Sequence, residues 1–335
     1  VKHNKKDLIA IVDRFGQQKV AVWGDLILDE YIYGTTRRIS REAPVLILSH
    51  KSKDFSLGGG GNALLNLSAL GAKPIPVSVV GQNEAGKRIL EILRQKRIST
   101  EFVIKDKSFQ TPVKTRILAG EHSTRKQQIL RIDQEARVPE SKELKQKLAN
   151  NLGKASGQTA ALLISDYNYF TIQEDVLKKI LPGYKRAKKP VALDSRFRLL
   201  QFKGITILTP NEPEVEFALQ VELDDDQKIV NKAGRMLLGR AGAEAVLITR
   251  GAKGMVLFEK QKPALRIPIY GSSDIVDVTG AGDTVISVLT LALACGASFR
   301  EAAVLANYAA GIVVMKKGTA TVSPRELKEA ILSEH

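Results

Sequence analysis

The sequence predicts an α/β protein, built on an open, mostly parallel sheet with helices on both faces and carrying a small β-strand lid. Three observations predict it. Short β-branched runs alternate with longer helical stretches, the rhythm of strand–helix–strand units. Several of the runs are continuously apolar, as parallel strands covered on both faces require. Two further segments are polar, basic and partly alternating, with no helix between their strands.

The strands expected for the main sheet are KVAVWG (19–24), PIPVSVVG (74–81), AALLIS (160–165), PVALD (190–194), ITILTP (205–210) and AVLITRG (245–251). Between them, helices are expected at Glu84–Lys96, Ser141–Ala155 and Asp225–Ala241. Another helix should start at the apolar run Val285 to Cys295. The lid should come from about 29–52 and 100–135, inserted into a single domain covering 1–335. No internal repeat or low-complexity linker interrupts this plan.

Composition narrows the function. The 335 residues, 44% hydrophobic, are enough for one large core. A single cysteine, Cys295, rules out an intrachain disulfide framework and reads as a packed thiol. No apolar run approaches the ~20 residues that span a bilayer, and the basic N-terminus lacks a signal-peptide core. The expectation is a cytoplasmic protein. The net charge is +15. Its densest part, Lys178 to Lys203, sets nine Lys/Arg against the single acid Asp194. That segment lacks the interleaved aromatics of a single-strand binder. A solvated basic face is therefore preferred to a nucleic-acid surface, with attraction of a phosphorylated small molecule as the other reading.

The motifs point to a ligand site at the ends of the strands. GQNEAGKR (81–88) imitates a phosphate-binding P-loop, but Arg88 stands where a hydroxyl must bind Mg²⁺. It reads as a strand-to-helix turn. LGGGGNALLNLSALGA (57–72) holds more glycines than a turn needs, so Gly58, Gly59 and Asn62 are candidates for close approach to a ligand. Asp25, Asp166 and Asp194 each follow an apolar run, at the strand ends where open α/β sheets bind ligands. Asn211 and Glu214 in TPNEPE either cap a helix or face a ligand. ITRGAKGM (248–255) is a hairpin, or a nucleotide floor. In DVTGAGDTV (277–285), Gly280, Ala281 and Gly282 open the apolar helix where bare amides attract anions, yet Asp283 adds a carboxylate there.

Taken together, Gly58-Gly59 through Asn62, the pair Asn211 and Glu214, and the set Asp277, Gly280, Gly282 and Asp283 resemble the ribokinase-type (PfkB) carbohydrate kinases, in family order. The resemblance runs from about Lys19 to Pro324. LDEYIYGTTRRISREAPV, KQQILRIDQE and ANYAAGIVVMKKGTATVSPREL are most similar to the branch that phosphorylates D-glycero-β-D-manno-heptose 7-phosphate on its anomeric hydroxyl, a step in ADP-heptose supply for lipopolysaccharide cores. The alternative within the family is another sugar or sugar phosphate. An idle binding protein on the same fold is the reading from a different class.

The resemblance implies ATP and Mg²⁺ as cofactors, with Asp283 as base and Gly280, Ala281 and Gly282 as anion hole. It puts Asn211 and Glu214 on Mg²⁺ through water. It sets Thr249, Gly251, Gly254 and Asn307 around the nucleotide, and Asp25, Gly58, Gly59, Asn62, Arg131, Asp133 and Asp166 on the sugar side. Some members bind K⁺, which the resemblance carries to Asp277 and Thr279. It also implies a homodimer formed through the lid. Lid residues Arg37, Arg38, Lys114 and Arg116 are candidates to attract a sugar phosphate. The chain departs from the heptose branch at Asn168, Tyr169 and Phe170, where a Lys-Gly pair is usual, and at Ser195-Arg196, where Pro-Lys is usual. Its four histidines form no nucleotidyltransferase motif, so the expectation is the kinase step alone.

Overall fold

The computed structural model describes residues 4–120, 127–224, 226–271 and 276–333. The chain enters through helix α1 (Lys5–Asp13) and strand β1 (Lys19–Gly24), then leaves the main body along two long strands, β2 (Leu26–Ile39) and β3 (Leu46–Gly59). It returns through α2 (Gly60–Ala69), β4 (Lys73–Gly81), α3 (Glu84–Gln95) and β5 (Val103–Asp106). A second excursion supplies β6 (Val113–Ala119) and β7 (Gln127–Gln134). Helices and strands then alternate: α4 (Lys142–Gln158), β8 (Ala161–Asp166), α5 (Glu174–Arg186), β9 (Val191–Ser195), β10 (Ile207–Leu208), α6 (Glu212–Leu219), α7 (Gln227–Ala241) and β11 (Ala245–Thr249). The hairpin partners β12 (Met255–Glu259) and β13 (Leu265–Ile267) follow, and α8 (Ala281–Ala294), α9 (Phe299–Val314) and α10 (Pro324–Ser333) close the chain.

The main sheet has the order β13-β12-β11-β10-β9-β8-β1-β4-β5. All neighbours from β5 to β11 are parallel, and β12 and β13 are antiparallel additions at one edge. The continuous apolar runs now have a cause. In β1, Val20 and Val22 join the core under α1, α2, α3, α8, α9 and α10, while Ala21 and Trp23 join the core under α4, α5, α6 and α7. Side chains alternate across a strand, so a strand covered on both faces must be apolar at every position.

Strands β2, β3, β6 and β7 form a separate four-stranded sheet in the order β3-β2-β6-β7. Two boundaries differ from the sequence reading. Val103–Asp106, inside the span read as lid, instead pairs in parallel with β4 at the edge of the main sheet. The reason is burial: Phe102 and Val103 are 6% and 8% exposed and fill the core beside it. The lid strand β3 also runs past 52 to Gly59, so the glycine run is the end of a strand and the start of a helix. Gly59 has φ 58, and a Cβ there would lie 2.7 Å from the Asp25 carbonyl oxygen. Only glycine allows this approach.

The P-loop imitation at 81–88 is a strand-to-helix turn. Asn83 caps α3 by accepting from the Gly86 amide, and Gly86 lies so close to the Gly81 carbonyl that no Cβ fits. No helix among the described residues is long and apolar enough to cross a membrane.

Candidate active site

The apolar stretch 285–294 makes α8 a core helix, and its first turn sits above the C-terminal ends of β8 and β9. Gly280 precedes that turn with φ 80. A Cβ at Gly280 would stand 2.5 Å from the Asn62 amide nitrogen. The bare backbone therefore lets Asn62 reach the carboxylate three residues on. Asn62 Nδ2 donates to Asp283 Oδ2 at 2.8 Å, and the Tyr167 hydroxyl donates to Oδ1 at 3.1 Å. Asn62 is itself braced, because Asn66 Nδ2 donates to its carbonyl at 3.0 Å and Thr284 Oγ1 donates to Asn66 Oδ1 at 2.9 Å. Asp283 is 4% exposed. Burial pushes its pKa up to about 6 against the two hydrogen bonds and the nearby Arg196, which pull it down. It is a carboxylate held ionised near neutral pH but ready to accept a proton.

Two cavities meet at this turn. Gly280 and Asp283 line one, with Asp29, Lys114, Arg116, Tyr167 and Arg196. Ala281 and Gly282 line the other, with Thr249, Gly251, Gly254 and Asn307. The first is charged. Arg116 Nη1 bonds Asp29 Oδ1 at 2.5 Å, and Arg196 lies over the Tyr167 ring at 4.6 Å. Lys114 is 8% exposed, and burial with the neighbouring Arg196 pulls its pKa down. The second cavity is walled by Met255, Ile269, Val278, Val285, Ala310 and Val314. A Cβ added at Gly251 or Gly282 would meet no protein atom within 4 Å, so these glycines leave room for a ligand beside the backbone.

The structure thus unites most of the predicted positions and separates others. Gly58 and Gly59 line the charged cavity, and Asn62 braces the base candidate at its edge. Asp25 is a correction. It is 1% exposed, and its two oxygens accept from the backbone amides of Tyr167, Tyr169 and Thr171 at 2.8, 3.1 and 3.1 Å. It holds a loop and does not line the cavity. Asp166 is a second correction: it is buried against Arg198 and accepts from the Ser195 hydroxyl at 2.6 Å. Arg131 and Asp133 bond each other at 2.8 Å on the exposed strand β7, one strand away from the cavity residue Lys114. Asn211 and Glu214 form a reciprocal capping box at the start of α6, with both bonds 2.9 Å. Glu214 also lies near Asp194, and burial together with this mutual repulsion raises the Asp194 pKa well above normal. Asp277 accepts from the Thr279 and Gly318 amides at 2.9 and 3.0 Å, pinning the loop ahead of α8.

The residues that sequence reading left without a role are Asp29, Tyr167 and Arg196. A signal for Asp29 existed. It pairs across the lid sheet with Lys114, and alternation in β6 puts Arg116 on the same face.

The family model for pfkB carbohydrate kinases matches residues 17–326. The chain belongs to the pfkB family of carbohydrate kinases. It is a phosphotransferase with an alcohol group as acceptor. Curated relatives of this kinase include the bifunctional protein HldE of Desulfatibacillum aliphaticivorans, 40% identical over 95% of this chain and 64% of its own length. HldE of Geobacter metallireducens is 39% identical over 94% of this chain and 63% of its own length. The kinase chain therefore spans about two thirds of the relatives it matches. Its fold is that of Arabidopsis thaliana ribokinase complexed with ribose and ATP, with TM-score 0.69, 21% identity and coverage of 94% and 98% of the two chains. Escherichia coli phosphofructokinase-2 has the same fold, with TM-score 0.74, 16% identity and the same coverage.

Proposed function

We propose that this kinase transfers the γ-phosphoryl of ATP to the anomeric hydroxyl of D-glycero-β-D-manno-heptose 7-phosphate. The observation that carries the reading is the division of one helical turn between two cavities. Asp283 faces the charged side, and the Ala281–Gly282 backbone faces the apolar side.

In this reading the adenine end of ATP lies in the apolar cavity and its γ-phosphoryl reaches the first turn of α8. The amides there meet the developing charge. The acceptor hydroxyl lies against Asp283. Its proton passes to the carboxylate as its oxygen forms the new bond to phosphorus, and the bond to the β-phosphate oxygen breaks to release ADP. Lys114 and Arg196 face the acceptor cavity, and Arg116 is already paired with Asp29. An anionic acceptor relieves the strain between those two cations, which supports a sugar phosphate over a neutral sugar.

Asp194 and Glu214 are the residues that would hold Mg²⁺. They offer hard oxygen donors close enough to repel one another. Among the described residues, no group of three or more His, Cys, Asp or Glu could hold a metal by itself, which suits an ion bound largely by phosphate and water. Bound there, Mg²⁺ would neutralise phosphate charge. We also propose that the chain acts as a dimer through its lid, whose Ile39, Leu46, Leu130 and Ile132 are 64%, 46%, 52% and 47% exposed.

The test is ADP release with paired phosphorylated and unphosphorylated sugars, run beside Asp283→Asn. Heptose 7-phosphate should be the best acceptor. If only neutral sugars react, the acceptor assignment fails. If no acceptor releases ADP, the catalytic reading fails with it.

A further inference from the structure

The segment between β8 and β9 has an unusual shape. Asn168 and Phe170 have φ 67 and 68, left-handed conformations that residues other than glycine rarely adopt. They alternate with Tyr167, Tyr169 and Thr171, and the amides of those three converge on one buried carboxylate, Asp25. Successive backbone amides wound through a turn of this kind form a concave anion nest. Here the anion is supplied by the protein. Trp23 adds a further tie, its indole N–H donating to the Thr171 carbonyl at 3.1 Å. Strain of this kind persists only where surrounding structure enforces it, and it collects at functional sites.

The held segment connects two places. At one end, the Tyr167 hydroxyl donates to Asp283. At the other, Tyr169 Oη donates to Glu135 at 3.2 Å and Phe170 lies 4.7 Å from the Arg137 guanidinium, both just beyond lid strand β7. We infer that Asp25 and Tyr167 are positioning residues: Asp25 winds the 167–171 segment so that the Tyr167 hydroxyl holds the Asp283 carboxylate ionised and aimed at the acceptor. This rests on Asp283 being the base. It assigns Asp25 a task in the acceptor site different from contact with sugar.

The electrostatics have the right sign. The charged and titratable groups around Asp283 are Tyr167 after β8, Asp194 and Arg196 at the end of β9, Asp29 on β2, and Lys114 and Arg116 across the cavity on β6. Arg196 favours the ionised form, and Asp29 and Asp194 oppose it. The hydroxyl of Tyr167 favours it by donation, and burial keeps that phenol protonated, well above its usual range. Removing the hydroxyl alone takes away one stabilising donor and leaves the other groups in place.

The experiment is the pH profile of kcat/KM for the wild type, Tyr167→Phe, Asp25→Asn and Asp283→Asn. Substrate ionisation is common to all, so the difference between profiles reports the enzyme. Tyr167→Phe should move the acidic limb up by roughly 0.5–1 pH unit. Asp25→Asn should move it the same way, and the double variant should add little to either, because the two act through one bond. An acidic limb unmoved in Tyr167→Phe overturns the proposal. A folded Asp25→Asn with a wild-type limb removes Asp25 from it. If Asp25→Asn does not fold, the isosteric Tyr167→Phe decides alone. Undiminished turnover in Asp283→Asn sinks the base reading and this proposal together, whereas a dead Asp283→Asn beside an unmoved Tyr167→Phe sinks only this one.

Discussion

The two cavities that meet at α8 are built in opposite ways. The apolar one is assembled from α8, α9 and the β11–β12 hairpin, and side chains that are absent at Gly251 and Gly282 leave space beside its backbone. The charged one is assembled from side chains that are present, carried by the lid and by the strand ends. The difference teaches how one helical turn can serve two chemistries. Backbone amides suit a phosphate, which needs donors and no bulk. A carboxylate suits a hydroxyl, which needs an acceptor of the right proton affinity.

The largest expected effect falls on the shared turn. Asp283→Asn should lower kcat by about 10²–10⁴-fold with the fold intact, measured by ADP release and circular dichroism. An effect below tenfold would mean that the charged cavity works without a base. Next come changes that should touch one cavity only. Lys114→Met should raise KM for a phosphorylated acceptor by roughly 10–100-fold and change KM for ATP little, in line with the loss of one charge-assisted contact. Ala310→Leu, which puts bulk into the apolar cavity, should do the reverse and raise KM for ATP by about tenfold. If both variants shift both constants equally, the two cavities are one site.

A smaller effect concerns stability. Asp283 holds its proton more tightly in the folded chain, at about 6, than its ordinary value of 3.8. The folded protein therefore binds more protons than the unfolded chain between these values, and this group lowers stability as pH rises through them. The penalty is absent below about pH 4 and complete above about 6. Asp283→Asn should then melt above the wild type by a larger margin at pH 7.5 than at pH 5, by about a few degrees in a thermal scan. A lower melting point at pH 7.5 would show that the carboxylate is structural. The smallest effect is expected at Arg131→Ala. Its side chain is half exposed and bonds only its strand neighbour Asp133 among the described residues, so turnover should change less than about threefold.

The legible parts of the site were those where backbone makes the contact. Gly280 had to be glycine, because its φ is 80 and a Cβ there would meet the Asn62 amide, so residue type announced the turn. Asp283 stood out because a carboxylate at an anion-binding turn is a contradiction in sequence. Where a site depends on which side chains share a face, the same kind of reading failed. Asp25 and Asp29 lie four residues apart and look alike. One is enclosed by three amides, and the other is paired with Arg116 in the cavity. Asp166 ends its strand as expected, but Arg198 claims it from 32 residues away. Asn211 and Glu214 matched a motif that a helix cap and a ligand contact share, and the structure shows the pair capping α6 while Glu214 also acts on Asp194.

The sequence by itself determined the strand–helix rhythm, the two-faced sheet and the identity of the turn at 280–283. These follow from local periodicity, backbone sterics and helix-terminal charge, which need no knowledge of distant partners. Only the tertiary structure decided that 103–106 belongs to the main sheet, that Asp25 serves the 167–171 segment, and that Tyr167, Arg196, Lys114 and Asp29 surround Asp283. Burial and pairing are properties of neighbours brought together by folding. Burial pushes Asp25 and Asp283 alike up to about 6, and what separates them is their surroundings: three backbone amides enclose Asp25, whereas Asp283 lines a cavity.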